Sequence, residues 1–282
     1  MIQVVRAGAL TTVQDLGRPG WAHLGVPRSG ALDGPALRLA NRLVGNAETA
    51  AGLEITLTGC RLRVTRTTTV AVTGAYGPLR VDGRAAGLGQ PVAVPAGATV
   101  DIGAASHGVR RYLAVGGGID VPPVLGSRST DTLSGLGPAP LTDGDELPIG
   151  TAAPTPSAVH FTPGRPTPDV LRLAVRLGPR DDWFTTAAVG TLLSTPYTVS
   201  PVSNRVGARL AGARLTRARA GELPSEGIVL GAVQVPADGQ PLVFLADHPT
   251  TGGYPVIAVV DDVAPLAQAR PGTTVLFHGP QR

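Results

Sequence analysis

The residues whose types could do chemistry fall in polar segments that lie between apolar stretches of the chain. The first segment, residues 11–30, reads TTVQDLGRPGWAHLGVPRSG and carries Gln14, Asp15, Arg18 and Ser29. Because it is too polar and too rich in glycine for a buried strand, we expect a loop whose backbone approaches a ligand closely while these side chains point at it. The alternative is a loop stiffened by a contact between Asp15 and Arg18.

A second polar segment, Ser203–Gly207, lies just after Pro201 and reads SNRVG. Asn204 offers hydrogen-bond donors and an acceptor, and the planar guanidinium of Arg205 matches the geometry of a carboxylate. These residue types predict a binding turn. A capped turn with a surface ion pair is the alternative interpretation.

The third segment, residues 246–255, is the densest in chemistry and reads ADHPTTGGYP. Asp247, Thr250, Thr251 and Tyr254 place a carboxylate, two hydroxyls and a phenol close together in the chain. A plain hairpin connection would explain the glycines but not the other side chains, so we expect part of a site here.

These three segments predict one shared cleft, because polar connections between strands cluster at the ends of β-barrels, where ligand sites form. In that cleft the side chains of Arg18 and Arg205 would face the surface and bind a carboxylate. A further run at residues 115–130, VGGGIDVPPVLGSRST, lacks the spacing of a phosphate-binding loop, and its proline pair prevents the helix that should follow. We interpret that run as a structural loop.

The composition excludes several classes of protein. All 24 basic residues are arginines, so the chain has no lysine for a P-loop, a Schiff base or a carried biotin. The 5 histidines lie far apart and there is 1 cysteine, so we predict neither a metal site nor a disulfide. With a net charge of +4 spread over the whole length, nucleic-acid binding is not expected.

The sequence also predicts a cytoplasmic protein without a membrane segment. Met1–Val13 lacks the apolar core of a signal peptide, and no run of about 18 apolar residues occurs.

Short β-branched runs predict a mostly β protein. The 38 glycines and 27 prolines are scattered among these runs, a pattern typical of short strands with tight turns. Their spacing favours a barrel or sandwich over alternating strands and helices. The predicted strands are Leu53–Leu57, Arg61–Val64, Thr69–Val72, Val92–Val94, Thr99–Ile102, Arg110–Val115, Leu171–Leu177, Ile228–Val235, Leu242–Leu245, Val256–Val260 and Thr274–Phe277.

A few short helices interrupt the strands. Asp33 can cap a helix that ends at Leu43, with Gly45 as a left-handed stop. Two more helices are predicted, from Asp182 to about Leu193 and from Asp261 or Asp262 to just before Pro271. A proline-rich stretch, residues 151–168, predicts a junction between domains at residues 1–155 and 165–282.

Several segments, taken in chain order, resemble the signature blocks of one protein family. The blocks are TVQDLGRPG, GVPRSGALD, ALRLANRLVGN, Leu53 with Glu54, GGIDVPPVLGSRSTD, SNRVGARLAG, EGIVLGAVQVPADGQP and ADHPTTGGYP, and they run from about Val4 to Phe277. They are similar to those of the 5-oxoprolinase C-subunit (KipA) family, also described as allophanate hydrolase subunit 2 or biotin-dependent carboxyltransferase-like.

This resemblance implies two cyclophilin-like β-barrel subdomains, related to subdomains A and B of the urea carboxylase carboxyltransferase region. It implies a smaller partner, the B subunit (KipI-like, allophanate hydrolase subunit 1), and a LamB/YcsF-like A subunit. Together the three are similar to an ATP-dependent 5-oxoprolinase, which opens 5-oxo-L-proline to L-glutamate. The resemblance places no ATP site on this chain, and any biotin would be carried by another protein.

The resemblance also implies roles for the polar residues, by position. In a small lactam or ureido substrate, the arginines would hold a carboxylate or phosphate, and the Thr, Asn and Tyr groups would orient the amide carbonyl. An allophanate hydrolase or urea carboxylase-like carboxyltransferase and a non-catalytic, KipA-like regulator of a kinase inhibitor are the alternatives. The catalytic candidates are Asp15, Asn204, Asp247 and Tyr254, and the substrate-binding candidates are Gln14, Arg18, Ser29, Arg205, Thr250 and Thr251.

Overall fold

The computed structural model describes residues 1–152, 161–162 and 168–279, which form two compact units. The first unit contains Met1–Arg18, Ser29–Asp131 and the described part of Gly135–Thr167. The second contains Pro19–Arg28, Thr132–Ser134 and the described part of Pro168–Arg282. The predicted proline-rich junction lies mainly outside the described residues, so the domain limits 1–155 and 165–282 stay predictions.

Two antiparallel sheets form the first unit. Its strands are β1 (Ile2–Arg6), β2 (Leu10–Gln14), β3 (Gly52–Thr56), β4 (Cys60–Val64), β5 (Thr68–Tyr76), β6 (Leu79–Val81), β7 (Arg84–Ala85), β8 (Val92–Val94), β9 (Thr99–Ile102), β10 (His107–Val115) and β11 (Glu146–Leu147). The six-stranded sheet has the order β11-β1-β4-β9-β6-β7, and the five-stranded sheet has the order β2-β3-β10-β5-β8.

Alternating side chains along these strands produce the core of the first unit. In β4, Cys60, Leu62 and Val64 are buried, whereas Arg61 and Arg63 are exposed. Because successive residues of a strand point to opposite faces, the apolar side chains share one face of the sheet. They pack in one cluster with buried residues of β1, β3, β9 and β10.

The helix predicted after Asp33 is confirmed as α1 (Gly34–Leu43). The Asp33 carboxylate accepts a hydrogen bond from the Ala36 amide at 3.0 Å, which satisfies a donor that has no partner within the helix. Gly45, with a φ of 77°, follows in the left-handed conformation. The buried face of α1 packs against Tyr112 of β10.

Strand β2 corrects the expectation that residues 11–30 contain no buried strand. Its residues from Thr11 to Gln14 are buried and pair with β3. The polar side chains are tolerated there because they find internal partners: Thr11 Oγ1 donates to Ala7 O at 2.6 Å, and Gln14 Nε2 donates to Thr130 O at 3.0 Å. Composition alone therefore misassigned the start of this segment.

A closed barrel of seven strands dominates the second unit. The strands of this unit are β12 (Val170–Leu177), β13 (Tyr197–Val199), β14 (Gly207–Gly212), β15 (Glu226–Gly227), β16 (Ala232–Gln234), β17 (Leu242–Phe244), β18 (Thr251–Gly252), β19 (Val256–Val260) and β20 (Thr274–His278). The barrel order is β12-β19-β16-β17-β14-β13-β20, and β15 pairs separately with β18. The predicted mostly β class is confirmed.

The second and third predicted helices differ from the structure. The second is α2 (Thr186–Ser194), capped by the Thr185 hydroxyl; an extended Phe184 separates it from a 3₁₀ turn at Asp181–Trp183. The third is a 3₁₀ helix, Ala264–Gln268, which is too short to repay the nucleation of an α-helix. No helix among the described residues is long and apolar enough to cross a membrane.

Candidate functional site

Asp15 follows β2 and is surrounded by hydrogen-bond donors from a distant loop. Its Oδ1 accepts from the hydroxyls of Ser127 and Ser129 at 2.6 and 2.5 Å and from the Gly17 amide at 2.8 Å. Its Oδ2 accepts from the Arg128 amide at 2.6 Å. Both oxygens are thus occupied by protein donors, an arrangement suited to fixing the loop. The catalytic role predicted for Asp15 stays a prediction.

Arg18 is buried, with 1% of its surface exposed. Its Nη1 donates to Ser29 Oγ at 3.1 Å, its Nε donates to Val124 O at 3.3 Å, and its Nη2 donates to Ser129 O. Ser29 is itself buried and has a left-handed φ of 54°. The expectation that Arg18 faces the surface is therefore wrong: its guanidinium is used to hold neighbouring backbone and the Ser29 hydroxyl.

Gln14 lies at the end of β2 with no exposed surface. Its Nε2 donates to Thr12 Oγ1 and to Thr130 O, both at 3.0 Å. Its Oε1 is buried and has no hydrogen-bond partner among the described residues. The amide thus joins β2 to the loop that surrounds Asp15, and a contact between Gln14 and substrate stays a prediction.

The second unit contains a buried ion pair between two of the predicted site residues. Nε and Nη2 of Arg205 donate to the two carboxylate oxygens of Asp247 at 2.8 and 2.9 Å. The amide and hydroxyl of Thr132 donate to the same carboxylate at 3.0 and 2.7 Å. The Arg205 and Asp247 side chains are 1% and 0% exposed. The expectation that Arg205 faces the surface is therefore wrong. The guanidinium edge that would match a ligand carboxylate is paired with Asp247.

Asn204 forms the turn before β14. Its side-chain Oδ1 accepts from the backbone amides of Val206 and Gly207 at 2.9 and 3.2 Å. The backbone amide of Asn204 donates to Gly207 O at 3.1 Å. This is the capped turn that was the alternative interpretation of the second segment, with the ion pair of Arg205 buried instead of lying on the surface.

Residues 250–254 include two exposed residues of the predicted site. Thr251 is exposed, and Tyr254 has 41% of its surface exposed. The backbone is held by pairing between β18 and β15 and by a hydrogen bond from the Ile228 amide to Thr250 O at 2.8 Å. An accessible phenol and hydroxyl on an ordered backbone can donate hydrogen bonds to a carbonyl oxygen.

A buried polar cluster around Glu54 in β3 was not predicted from the sequence. Its Oε2 accepts from the Tyr112 hydroxyl at 2.8 Å and from the Leu32 amide at 3.0 Å, and its Oε1 lies 3.4 Å from Arg110 Nε. Burial, followed by the charge of Glu54, raises the pKa of Tyr112 well above its ordinary value. The cluster holds the chain just after Ser29. The only signal for it was Glu54 in the family block, since its partners lie far away in the sequence.

The predicted site residues are divided between the two units. The single cleft predicted for all of them stays a prediction. The first unit holds Gln14, Asp15, Arg18 and Ser29, and the second holds Asn204, Arg205, Asp247, Thr250, Thr251 and Tyr254.

The part of the chain that the structure describes shows neither a cluster of metal ligands nor a reactive thiol. No group of three or more His, Cys, Asp or Glu side chains there could hold a metal ion. Cys60 is buried in β4, and burial raises the pKa of its thiol to about 12. This thiol is therefore kept protonated, in contrast to a nucleophilic cysteine.

Comparison with known proteins gives matches over nearly the whole chain. The family model of the carboxyltransferase domain, subdomains A and B, matches residues 24–279. The 5-oxoprolinase C subunit of Escherichia coli (strain K12) is 42% identical over 98% of this chain and 90% of that protein. The 5-oxoprolinase C subunit of Haemophilus influenzae is 34% identical over 99% of this chain and 91% of that protein. The urea amidolyase of Saccharomyces cerevisiae is 34% identical over 98% of this chain and 16% of that protein.

Solved structures also match the fold. The crystal structure of TTHA0988 has a TM-score of 0.88 and 41% identity, and the match covers 98% of this chain and 55% of that chain. The K. lactis urea amidolyase has a TM-score of 0.91 and 31% identity, with 98% of this chain and 18% of that chain covered. This chain thus spans about half the length of TTHA0988 and a smaller part of the urea amidolyase.

Proposed function

Because the chain belongs to the family of the carboxyltransferase domain, subdomains A and B, we propose that it is one of the subunits of an ATP-dependent 5-oxoprolinase complex. The complex opens the amide bond of 5-oxo-L-proline, and water supplies the oxygen of the new carboxylate of L-glutamate. The observation that carries the proposal is the 42% identity with the E. coli 5-oxoprolinase C subunit, which extends over 98% of this chain and 90% of that protein.

In this proposal the chain supplies a pocket for the lactam. Attack on the amide carbon builds negative charge on the carbonyl oxygen, and hydrogen-bond donors that face this oxygen stabilise the charge. The accessible hydroxyl of Thr251 and the phenol of Tyr254 are the donors that we assign to it. Arg18 and Arg205 position the loops instead of binding substrate, because both guanidinium groups are buried and hydrogen-bonded.

The proposed partners are the smaller B subunit, which is KipI-like, and a LamB/YcsF-like A subunit. Since the chain has no lysine for a phosphate-binding loop, we assign the ATP site to none of its residues. We expect a stable complex with the B subunit that buries more than about 1,200 Å² in total, as specific interfaces do. Separate elution of the two chains in size-exclusion chromatography at micromolar concentration would contradict this expectation.

Reconstitution tests the proposed activity. The chain is mixed with its own A and B subunits, and ADP release is followed with and without 5-oxo-L-proline while L-glutamate is measured by chromatography. We expect turnover to need all three proteins, and the isolated chain to show no ATP hydrolysis that depends on 5-oxo-L-proline. Robust turnover by the pure chain, or none by the complete complex, would refute the proposal.

A matched pair of tyrosine variants tests the assignment of Tyr254. Tyr254→Phe removes only the phenol oxygen, and we expect a lower kcat in the reconstituted complex because a donor to the carbonyl oxygen is lost. Tyr76→Phe removes the same group from a residue of the first unit that is 36% exposed, and kcat should not change. Equal kcat values in the two variants would remove Tyr254 from the mechanism.

A urea carboxylase-like carboxyltransferase is the second candidate, favoured by the 34% identity with the S. cerevisiae urea amidolyase and by the TM-score of 0.91 with the K. lactis enzyme. The carboxyl group would then come from a biotin carried by another protein, since no lysine here can carry it. ATP consumption that depends on urea and bicarbonate, and not on 5-oxo-L-proline, would favour this candidate. Binding of a kinase inhibitor without any turnover would favour a regulator.

A further inference from the structure

The aromatic ring of Tyr254 lies next to Arg217, which is not among the predicted site residues. The Cζ atom of Arg217 lies over the ring, 6.0 Å from its centroid. A guanidinium at this distance from the face of a tyrosine is attracted by the quadrupole of the ring, whose face is negative. The ring, although 41% exposed, therefore has a neighbour that favours one orientation.

Arg217 is held in place by its own hydrogen bonds. Its Nη2 donates to Val235 O at 2.7 Å, and its Nη1 donates to Gly221 O at 3.4 Å. Its Nε is buried and has no hydrogen-bond partner among the described residues. The two carbonyl acceptors and the Tyr254 ring are the contacts that orient the guanidinium in this proposal.

The backbone of Tyr254 is held by a second residue, Gln234 at the end of β16. Gln234 is 3% exposed, and its Nε2 donates to Tyr254 O at 2.8 Å. The next residue, Val235, donates its amide to Pro255 O at 3.1 Å and accepts from Arg217 through its carbonyl oxygen. One short piece of β16 and its continuation therefore contacts both the backbone at Tyr254 and the arginine that covers the ring.

Gly252 supports the same arrangement. A Cβ atom at this position would lie 2.9 Å from Gln234 Nε2, so a larger residue would displace the end of the Gln234 side chain. Glycine leaves room for the Gln234 amide at the Tyr254 carbonyl.

We propose that Arg217 and Gln234 are positioning residues for Tyr254, which fix the phenol in the orientation in which it donates to the substrate carbonyl. Gln234 fixes the backbone from which the side chain starts, and Arg217 fixes the plane of the ring. The functional part of this inference rests on the function proposed above. A misplaced donor stabilises the transition state less, while the binding of the substrate changes little. Loss of either residue therefore lowers kcat and changes KM little.

A double-mutant cycle in the reconstituted complex tests the inference. Arg217→Met should lower kcat about 2- to 30-fold, the range that corresponds to an exposed or a desolvated cation–π contact. In a Tyr254→Phe background the same substitution should lower kcat less than about 2-fold, because no phenol oxygen is left to position. Arg217→Lys keeps the charge and should recover part of the activity. Equal effects of Arg217→Met in both backgrounds would overturn the inference.

A matched control is Arg219→Met, two residues along the chain. Arg219 pairs with Asp182 at 2.6 Å, and both side chains are about half exposed, at 55% and 48%. Its loss should leave kcat unchanged. Gln234→Met is the second test variant: it removes the donor to Tyr254 O, and its effect on kcat should likewise vanish in the Tyr254→Phe background. Additive effects of Gln234→Met would remove Gln234 from the inference.

A spectroscopic readout separates this inference from the proposed function. The chain has 4 tyrosines, so protein labelled with 3-fluorotyrosine gives few ¹⁹F resonances, and the one lost in Tyr254→Phe is that of Tyr254. Arg217→Met should shift this resonance towards that of the free amino acid and leave the others in place, whereas Arg219→Met should shift none. A Tyr254 resonance that does not move would overturn the inference even in a complex that is fully active. No turnover by the wild-type complex, with the shift observed, would refute the proposed function alone.

Discussion

The substitution Asp247→Asn removes the negative charge that compensates the buried guanidinium of Arg205. Two hydrogen bonds at 2.8 and 2.9 Å join the side chains, which are 0% and 1% exposed. Asparagine keeps an acceptor oxygen of nearly the same shape, so the substitution changes charge far more than volume. We expect the second unit to lose much of its stability.

The magnitude follows from the burial of both partners. Removing one partner of a buried ion pair costs about 3–5 kcal/mol, because the remaining charge is left without either its partner or water. Asparagine can keep one hydrogen bond to Arg205, so the lower end of this range is expected, about 3 kcal/mol. For a unit of this size such a loss lowers the Tm by roughly 10 °C.

The assay is unfolding in guanidinium chloride followed by tryptophan fluorescence. Trp21 and Trp183, the 2 tryptophans of the chain, both belong to the second unit, so the signal reports the unit that carries the substitution. The control is Asp261→Asn, whose partner Arg176 lies at 3.0 Å with side chains 40% and 76% exposed, respectively. An exposed pair contributes less than about 1 kcal/mol, so this variant should unfold like the wild type. If both variants lost the same small amount, the buried pair would not have the role deduced from its geometry.

Three further predictions concern the Cys60 thiol, the backbone at Gly30, and the buried guanidinium of Arg18. The Cys60 thiol, with a pKa of about 12, should not react with a disulfide reagent at pH 8 until denaturant exposes it; a fast reaction of the native protein would contradict its burial. Gly30→Ala should lose about 2–5 kcal/mol in thermal unfolding, because φ is 95° and the new Cβ would lie 2.7 Å from the Gly17 amide nitrogen. Gly20→Ala, also with a φ of 95° but with nothing within 4 Å, should lose only about 1–2 kcal/mol; similar losses would show that the close contact is relieved. Arg18→Lys should lose about 1–3 kcal/mol because its three acceptors face three different guanidinium nitrogens and a lysine has one nitrogen; unchanged unfolding monitored by circular dichroism would exclude that role.

The local elements of the fold could be predicted from the sequence, because their causes are local. Asp33 and Gly45 mark the two ends of α1 by side-chain capping and by a left-handed φ. The strands Val92–Val94, Thr99–Ile102 and Val256–Val260 have the predicted limits, since β-branched runs with flanking turn residues indicate strands directly.

Predictions failed where distant pairing decides the structure. Thr11 to Gln14 are too polar to predict a buried strand, yet pairing with β3 and internal hydrogen bonds make them one. The third predicted helix failed for a local reason: Ala269 is extended, so the 3₁₀ helix Ala264–Gln268 ends three residues before Pro271.

The candidate site shows the same division. Residue types and the family blocks were sufficient to single out Asp15, Arg205 and Asp247, because the type and the order of residues are properties of the sequence itself. Only the tertiary structure decided what these charges contact: Asp15 meets the Ser129 hydroxyl across 114 positions, and Arg205 meets Asp247 across 42. An arginine is exposed in most proteins, and only packing around it, together with a partner brought from elsewhere in the chain, makes its burial stable.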